Sequence, residues 1–182
     1  MFYKEKIHTL KNNSTCIIRS PLASDAAAIL NEMRITSDET DFMTRSGDEI
    51  TMSVPMEQEF LENAIKSPSD LMICAIVDGK IVATAGLTPV LPRERCRHRA
   101  DFGISILKEY WGLGIGSLLL SAIISGAREM NYEQIELEVV CENEKAIALY
   151  KKFGFQTYAT LPRAFKYRNG TYASEYLMLL EL

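Results

Sequence analysis

The stretch Glu109–Ile123, EYWGLGIGSLLLSAI, limits what this chain can fold into more than any other. Gly112, Gly114 and Gly116 alternate, an apolar run follows at once, and an alternating run, Ala100–Leu107, precedes them. Each glycine costs backbone entropy, so three in five positions mark a turn whose backbone must stay bare. Between a strand and a helix, such a turn points backbone N–H groups outward. The free N–H groups of the helix's first turn and the positive end of its dipole add to them. The product is a seat for an anion, with a diphosphate as its natural guest. A plain strand-to-helix turn needs fewer glycines.

Two familiar phosphate loops do not match. A Walker A loop needs lysine before its Ser or Thr, and Ser117 follows Gly116 directly. A dinucleotide fingerprint needs G-x-G-x-x-G in the first strand–helix unit of a parallel sheet. Here Ser117 stands at the third glycine's place, the loop lies past mid-chain, and only Glu142 is placed to act as the ribose-binding acid.

The rest of the chain fixes the architecture around this turn. At 182 residues and 47% hydrophobic, it suits one domain. A formal charge of −4 argues against a nucleic-acid partner. No apolar run reaches the roughly 20 residues that span a bilayer, and the N-terminus has no signal-like apolar stretch. Cys16, Cys74, Cys96 and Cys141 are scattered, with no C-x-x-C and no grouping with His8 or His98. That spacing is expected of reduced thiols in a cytoplasmic protein without a metal site.

Residues 1–14 are polar and expected as a loose lead-in, with the domain proper over 15–182. Thr15–Arg19 is expected as a strand, and Ser24 as the cap of a helix over 25–35. Residues 36–53 are acidic and aperiodic, and Pro55 opens a helix running to Lys66. Leu71–Val77 and Ile81–Thr88 flank Asp78-Gly79, a hairpin signal. A basic loop, PRERCRHR, leads to the 100–107 strand. Alternation there puts Ala100, Phe102, Ile104 and Ile106 on one face and Asp101, Gly103, Ser105 and Leu107 on the other. A helix over 116–130, a strand over 134–140 and a short helix over 144–153 follow, the last ended by Gly154. Two final strands, 155–160 and 171–182, are joined through an Asn169-Gly170 turn. Hairpins early and strand–helix alternation late predict an α/β single domain, with a mixed central sheet flanked by helices.

YWGLGIGSLLL after a strand, followed by IELEVVCENEKAIALYKKFGF, resembles the GCN5-related N-acetyltransferases (GNAT). That family's Q/R-x-x-G-x-G/A loop falls on Trp111, Gly114 and Gly116, with Trp111 where Gln or Arg is customary. Its N-x-x-A-x-x-L-Y-x-x-x-G-F pattern falls on Asn143, Ala146, Leu149, Tyr150, Gly154 and Phe155. Two motifs on the right elements, in the right order, make the resemblance specific.

The resemblance implies an acyl-CoA N-acyltransferase-like fold, acetyl-CoA as co-substrate, and no metal. It implies acetyl transfer to a primary amine, either a small amine or a peptide or protein N-terminus, by direct attack in a ternary complex. The loop from Trp111 through Gly112, Leu113, Gly114, Ile115 and Gly116 to Ser117 would take the pyrophosphate. Ile104, Ser105 and Ile106 would pair with the pantetheine arm and offer an oxyanion N–H. Asn143 would bond the arm and also suits a helix cap, with Ala146 beside it. Tyr150 would be the general acid and Asp101 the base, with Glu138 in reserve and His98 less suited. The acidic segment Asp38–Glu49 suggests a cationic acceptor, although an ordinary solvated loop has the same composition. Tyr158, Phe165, Tyr167 and Tyr172 either wall the acceptor pocket or serve as routine strand residues. A non-catalytic CoA-binding sensor is the alternative activity. Family members are often homodimers, so a homodimer stays open.

Overall fold

Strands that are apolar on both sides need cover on both faces, and the hairpin around Asp78-Gly79 makes that demand. The computed structural model, which describes residues 1–182, meets it with a single sheet between two helix layers. The strands are β1 (Lys6–Thr9), β2 (Thr15–Arg19), β3 (Leu71–Val77), β4 (Lys80–Pro89), β5 (Arg99–Ile106), β6 (Gln134–Val140), β7 (Gln156–Lys166) and β8 (Tyr172–Glu181). The helices are α1 (Ala26–Glu39), α2 (Val54–Lys66), α3 (Ile115–Glu129) and α4 (Glu144–Lys152). The sheet order is β1-β2-β3-β4-β5-β6-β8-β7. Every neighbouring pair is antiparallel except β5 and β6, which α3 connects in parallel.

Alternation along β3 divides the interior. Leu71, Ile73, Ala75 and Val77 join Leu119, Ile123, Ile147 and Tyr150 in the main core on the α3–α4 side. Cys74 joins Ala26, Ile29 and Leu61 in a second core under α1 and α2, with Met72 and Ile76 packed against it. At the hairpin tip both Asp78 (φ 49°) and Gly79 (φ 76°) are left-handed, as a two-residue turn that continues the strand twist requires.

Residues 1–14 depart from the expected loose lead-in. β1 pairs with β2, and Tyr3 and Leu10 are buried. Four strand residues are too few to reveal a period in sequence. α1 also begins differently. Ala23–Asp25 form a short 3-10 turn, and Asp25 rather than Ser24 takes the Leu22 N–H (2.7 Å) while pairing with Arg19 (2.6 Å). α1 then runs to Glu39, four residues past the expected end. α2 is capped by Ser53, whose Oγ accepts from Met56 N–H.

One departure from regularity positions everything that follows. β5 and β6 pair only over Arg99–Asp101 and Gln134–Glu136, and beyond those residues the two strands part. The sheet therefore holds a fork whose apex lies at Asp101 and Glu136 and whose open end faces the glycine turn.

Candidate active site

The fork leaves one edge of β5 bare, and strand alternation decides which groups it shows. Leu107 N–H donates to Val82 O (2.9 Å), and β5 runs in even register along β4. Hydrogen bonds alternate sides along such a ladder, so the main-chain groups of Ser105 face Thr84, while those of Ile104 and Ile106 face the fork. Trp111 Nε1–H takes one of them, donating to Ile106 O (2.8 Å). The indole that stands for the customary Gln or Arg thus ties the glycine turn to the strand end. Lys145 Nζ lies 5.2 Å from its ring centre.

The three glycines do different work. Gly112 (φ 79°) and Gly114 (φ 101°) are left-handed, and a Cβ on either would project into open space. Gly114 caps α3. Nothing inside the protein needs the bareness of these two beyond their backbone angles, so their open side is a cradle. Gly116 has an internal reason: a Cβ there would lie 3.0 Å from a Leu149 methyl and 3.4 Å from an Ile106 methyl. Its bareness lets α3, α4 and β5 converge.

These surfaces bound a cleft of ≈ 560 Å³. Ile104, Ser105, Ile106, Trp111, Gly112, Gly114, Ile115, Gly116, Ser117, Asn143, Ala146 and Tyr150 all line it. Leu113 does not, because its carbonyl is turned to the N-terminal hairpin and accepts Lys11 N–H (3.2 Å). Asn143 Oδ1 caps α4 by accepting Ala146 N–H (3.3 Å), which leaves its amide N–H groups for the cleft. Tyr150 is 6% exposed, edge-on to Phe102 at 6.1 Å and tilted against Phe155 at 5.8 Å. Burial pushes its phenol above the ordinary value, so it stays protonated and available as a donor.

Asp101 does not line the cleft; it stands at the fork's apex. Partial burial, then Glu138 and Glu136, push its carboxyl above the usual range. Glu136 is held by Arg99, and Gln134 also donates to it. Glu138 and the buried Glu175 share the Asp101 face of the sheet.

The acidic loop is largely occupied by the protein itself. Asp38 accepts Gly47 N–H (2.8 Å), Glu39 accepts Lys108 N–H (2.8 Å), Glu49 accepts Ser46 N–H (2.7 Å), and Asp48 pairs with Arg168 (2.7 Å). These carboxylates fasten the loop, so its charge is no signature of a cationic acceptor. Tyr167 OH donates to Asp41 O (2.7 Å), so the β7–β8 tip bridges to this loop across the fork. Of the four aromatic residues near the last strands, Tyr167 makes that bridge, with Phe165 edge-on to it. Tyr158 and Tyr172 are exposed.

The model of the acetyltransferase (GNAT) family matches residues 34–155, two thirds of the chain. The chain belongs to the GNAT acetyltransferase family. Among its relatives, the L-amino acid N-acetyltransferase AaaT of Escherichia coli is 31% identical over 131 residues, covering 70% of this chain and 80% of that protein. The spermidine N(1)-acetyltransferase of Escherichia coli is 34% identical over 97 residues, 53% of this chain and 52% of that one. A GNAT acetyltransferase of known structure from Streptococcus pneumoniae superimposes with a TM-score of 0.87 at 32% identity, covering 92% of this chain and 99% of its own. The fold is shared with YncA from Salmonella typhimurium, a structure holding acetyl-CoA (TM-score 0.80, 19% identity, 92% and 94% covered).

This GNAT domain also brings residues to the cleft that sequence reasoning passed over. Lys11, Lys145 and Lys152 line it. Lys145 and Lys152 carry a signal in their seven-residue spacing on the helix of Tyr150, which puts them on one face. Lys11 carries none, since the β1–β2 hairpin, remote in sequence, delivers it. Thr36, Thr40, Phe42 and Met43 close the α1 side.

Proposed function

We propose that the protein transfers the acetyl group of acetyl-CoA to a primary amine of a small molecule or a peptide N-terminus, by direct attack within a ternary complex. The observation that carries this is the fork: a bare β5 edge that ends at a glycine cradle, with Tyr150 on one side and carboxylates at the apex. The residues fit the donor. The cradle at Gly112 and Gly114 and the N-terminus of α3 suit a diphosphate, and Lys11, Lys145 and Lys152 supply charge for a polyanion. The free main-chain groups of Ile104 and the Ile106 N–H suit an extended amide-bearing arm as an added strand would, the Ile106 carbonyl being held by Trp111.

Acetyl-CoA when bound supplies the activated thioester; the chain's own residues do the rest. The free N–H groups on the β5 edge would stabilise the developing oxyanion. Tyr150 donates its hydroxyl hydrogen to the departing sulfur. With its pKa raised above a thiol's usual 8.5, full proton transfer lags behind C–S cleavage, and the hydrogen bond strengthens as charge builds. Asp101 takes the proton that the amine must lose, directly or through water, and its raised affinity for protons favours that role. Glu138 and Glu175 on the same face favour an acceptor that arrives as an ammonium.

Relatives whose names specify an amino acid or spermidine as acceptor support the amine class. Initial-rate kinetics across acetyl-CoA and each amine should give intersecting lines, with no acetyl group left on the protein when the amine is omitted. Parallel lines together with an acetylated protein would overturn direct attack.

A further inference from the structure

Glu32 is a buried carboxylate that contacts the main cleft through Ser105. It sits on α1 at 1% exposure. Its Oε1 accepts from Ser105 Oγ at 2.9 Å, and its Oε2 lies 3.4 Å from Thr84 Oγ1. The two hydroxyls are 2.9 Å apart, on residues directly opposite each other in β4 and β5. Ser105 lines the main cleft. Glu32 lines a second cavity of ≈ 370 Å³ on the other side. The cluster thus backs the β5 segment whose outer edge forms the fork.

A glutamine would fill this position without the desolvation cost of a buried charge. No cation is bonded to Glu32. Arg19 and Asp25 share the second cavity but pair with each other, and Lys80 pairs with Glu109. Further off, Glu39 and Arg45 act on it with opposite signs. A buried carboxylate kept at that cost calls for a reason, and proton counting supplies one. When Glu32 is ionised it can only accept, so Ser105 gives its hydrogen to Glu32, and its remaining lone pair is free toward the cleft. When Glu32 is protonated it donates to Ser105, and the Ser105 hydrogen must turn to Thr84 or into the cleft.

We propose that Glu32 is a positioning residue that acts through Ser105, fixing the Ser105 hydroxyl as a hydrogen-bond acceptor on the cleft side to receive an N–H of the attacking amine, a role that rests on the acetyl-transfer reading. Burial, opposed by the Ser105 and Thr84 hydroxyls, raises the Glu32 carboxyl to about 7. The acceptor state therefore fills as pH rises through neutrality.

The test compares kcat/KM for one amine acceptor across pH in wild type, Glu32→Gln and Ser105→Ala. The amine's own ionisation is common to all three and cancels in ratios. Wild type should show an acidic limb with a midpoint of about 7 that both variants lack, and KM for acetyl-CoA should stay within about twofold of wild type. A parallel readout needs no catalysis. In carbon-13 glutamate-labelled protein, one carboxyl should titrate at about 7 in wild type, vanish in Glu32→Gln, and titrate higher in Ser105→Ala, where a donor to the charged form is gone. A Glu32→Gln profile with the wild-type limb intact overturns the inference alone. The carbon-13 titration found as described, with no acetyl transfer to any amine by wild type, overturns the acetyl-transfer reading and the amine's role with it.

Discussion

At the scale of single residues, burial sorts the carboxylates and phenols that matter. Tyr150 is packed between Phe102 and Phe155, so its hydroxyl can be removed without disturbing the cleft's shape. Tyr150→Phe should lower kcat by roughly 10²–10⁴-fold, the usual worth of a positioned acid, while titration calorimetry finds acetyl-CoA affinity unchanged. Loss of affinity in step with kcat would make Tyr150 a binding residue instead. Glu32 gives a prediction of opposite sign for stability and for function. Its folded pKa of about 7 lies above the unfolded value of 4.5, so the native state holds the extra proton between those values. Stability then falls as pH rises through that window, and the loss is complete above it. Glu32→Gln should therefore raise Tm at pH 8, by up to about 3 kcal/mol of unfolding free energy, with the gain fading toward pH 4.5. Scanning calorimetry at the two pH values checks it; equal shifts at both would mean that Glu32 does not titrate in the fold. Nothing local in the sequence marks Glu32, which stands among ordinary helix residues. Its importance comes from β4 and β5, more than 50 residues away.

At the scale of elements, the glycine turn and the α4 motif were legible because their chemistry is written in contiguous residues. Positive φ at Gly112 and Gly114 and the tight meeting of helices at Gly116 are both backbone demands, and glycine is the visible answer to each. What the alternation of β5 did not show is the fork, since a strand's sequence does not reveal where its neighbour leaves it. The acidic loop misled for a related reason: its carboxylates look free until Gly47, Lys108 and Arg168 are seen to hold them. Substitution at the cradle separates its two kinds of glycine. Gly114→Val meets no atom but must adopt a left-handed backbone, costing about 1–2 kcal/mol. It also fills the cradle, so acetyl-CoA affinity should drop at least tenfold, by roughly 1.4 kcal/mol or more. Gly116→Val instead pushes Leu149 and Ile106 apart, so its larger effect should be on Tm. If Gly114→Val binds acetyl-CoA as wild type does, the turn is no more than a turn.

At the scale of the whole molecule, a sheet covered by helices on both faces is opened at one place, and there the two layers meet across a cleft. The α3–α4 layer offers the cradle and Tyr150; the end of α1 and the loop after it close the opposite side. This mixed α/β architecture follows from the order of apolar runs, hairpin signals and helical faces along the chain. The N-terminal hairpin does not, yet it delivers Lys11 to the glycine turn. The protein carries a net charge of −4, but three lysines line the cleft. Neutralising Lys11, Lys145 and Lys152 together to Gln should raise KM for acetyl-CoA by about tenfold at low salt and flatten its salt dependence, with kcat little changed. An unaltered salt dependence would place the donor elsewhere. The central claim is acetyl transfer itself, and mass spectrometry of the acceptors tests it most directly. The protein is incubated with acetyl-CoA and a panel of amino acids, polyamines, amino sugars and short peptides, and the products are weighed without a thiol reagent that its own cysteines would disturb. The account predicts one acetyl group gained in place of a hydrogen on a primary amine, made by wild type and sharply reduced in Tyr150→Phe. Acetyl-CoA bound in the cleft, with no acetylated amine at any pH from 6 to 9, would contradict it and make the domain a CoA-binding module.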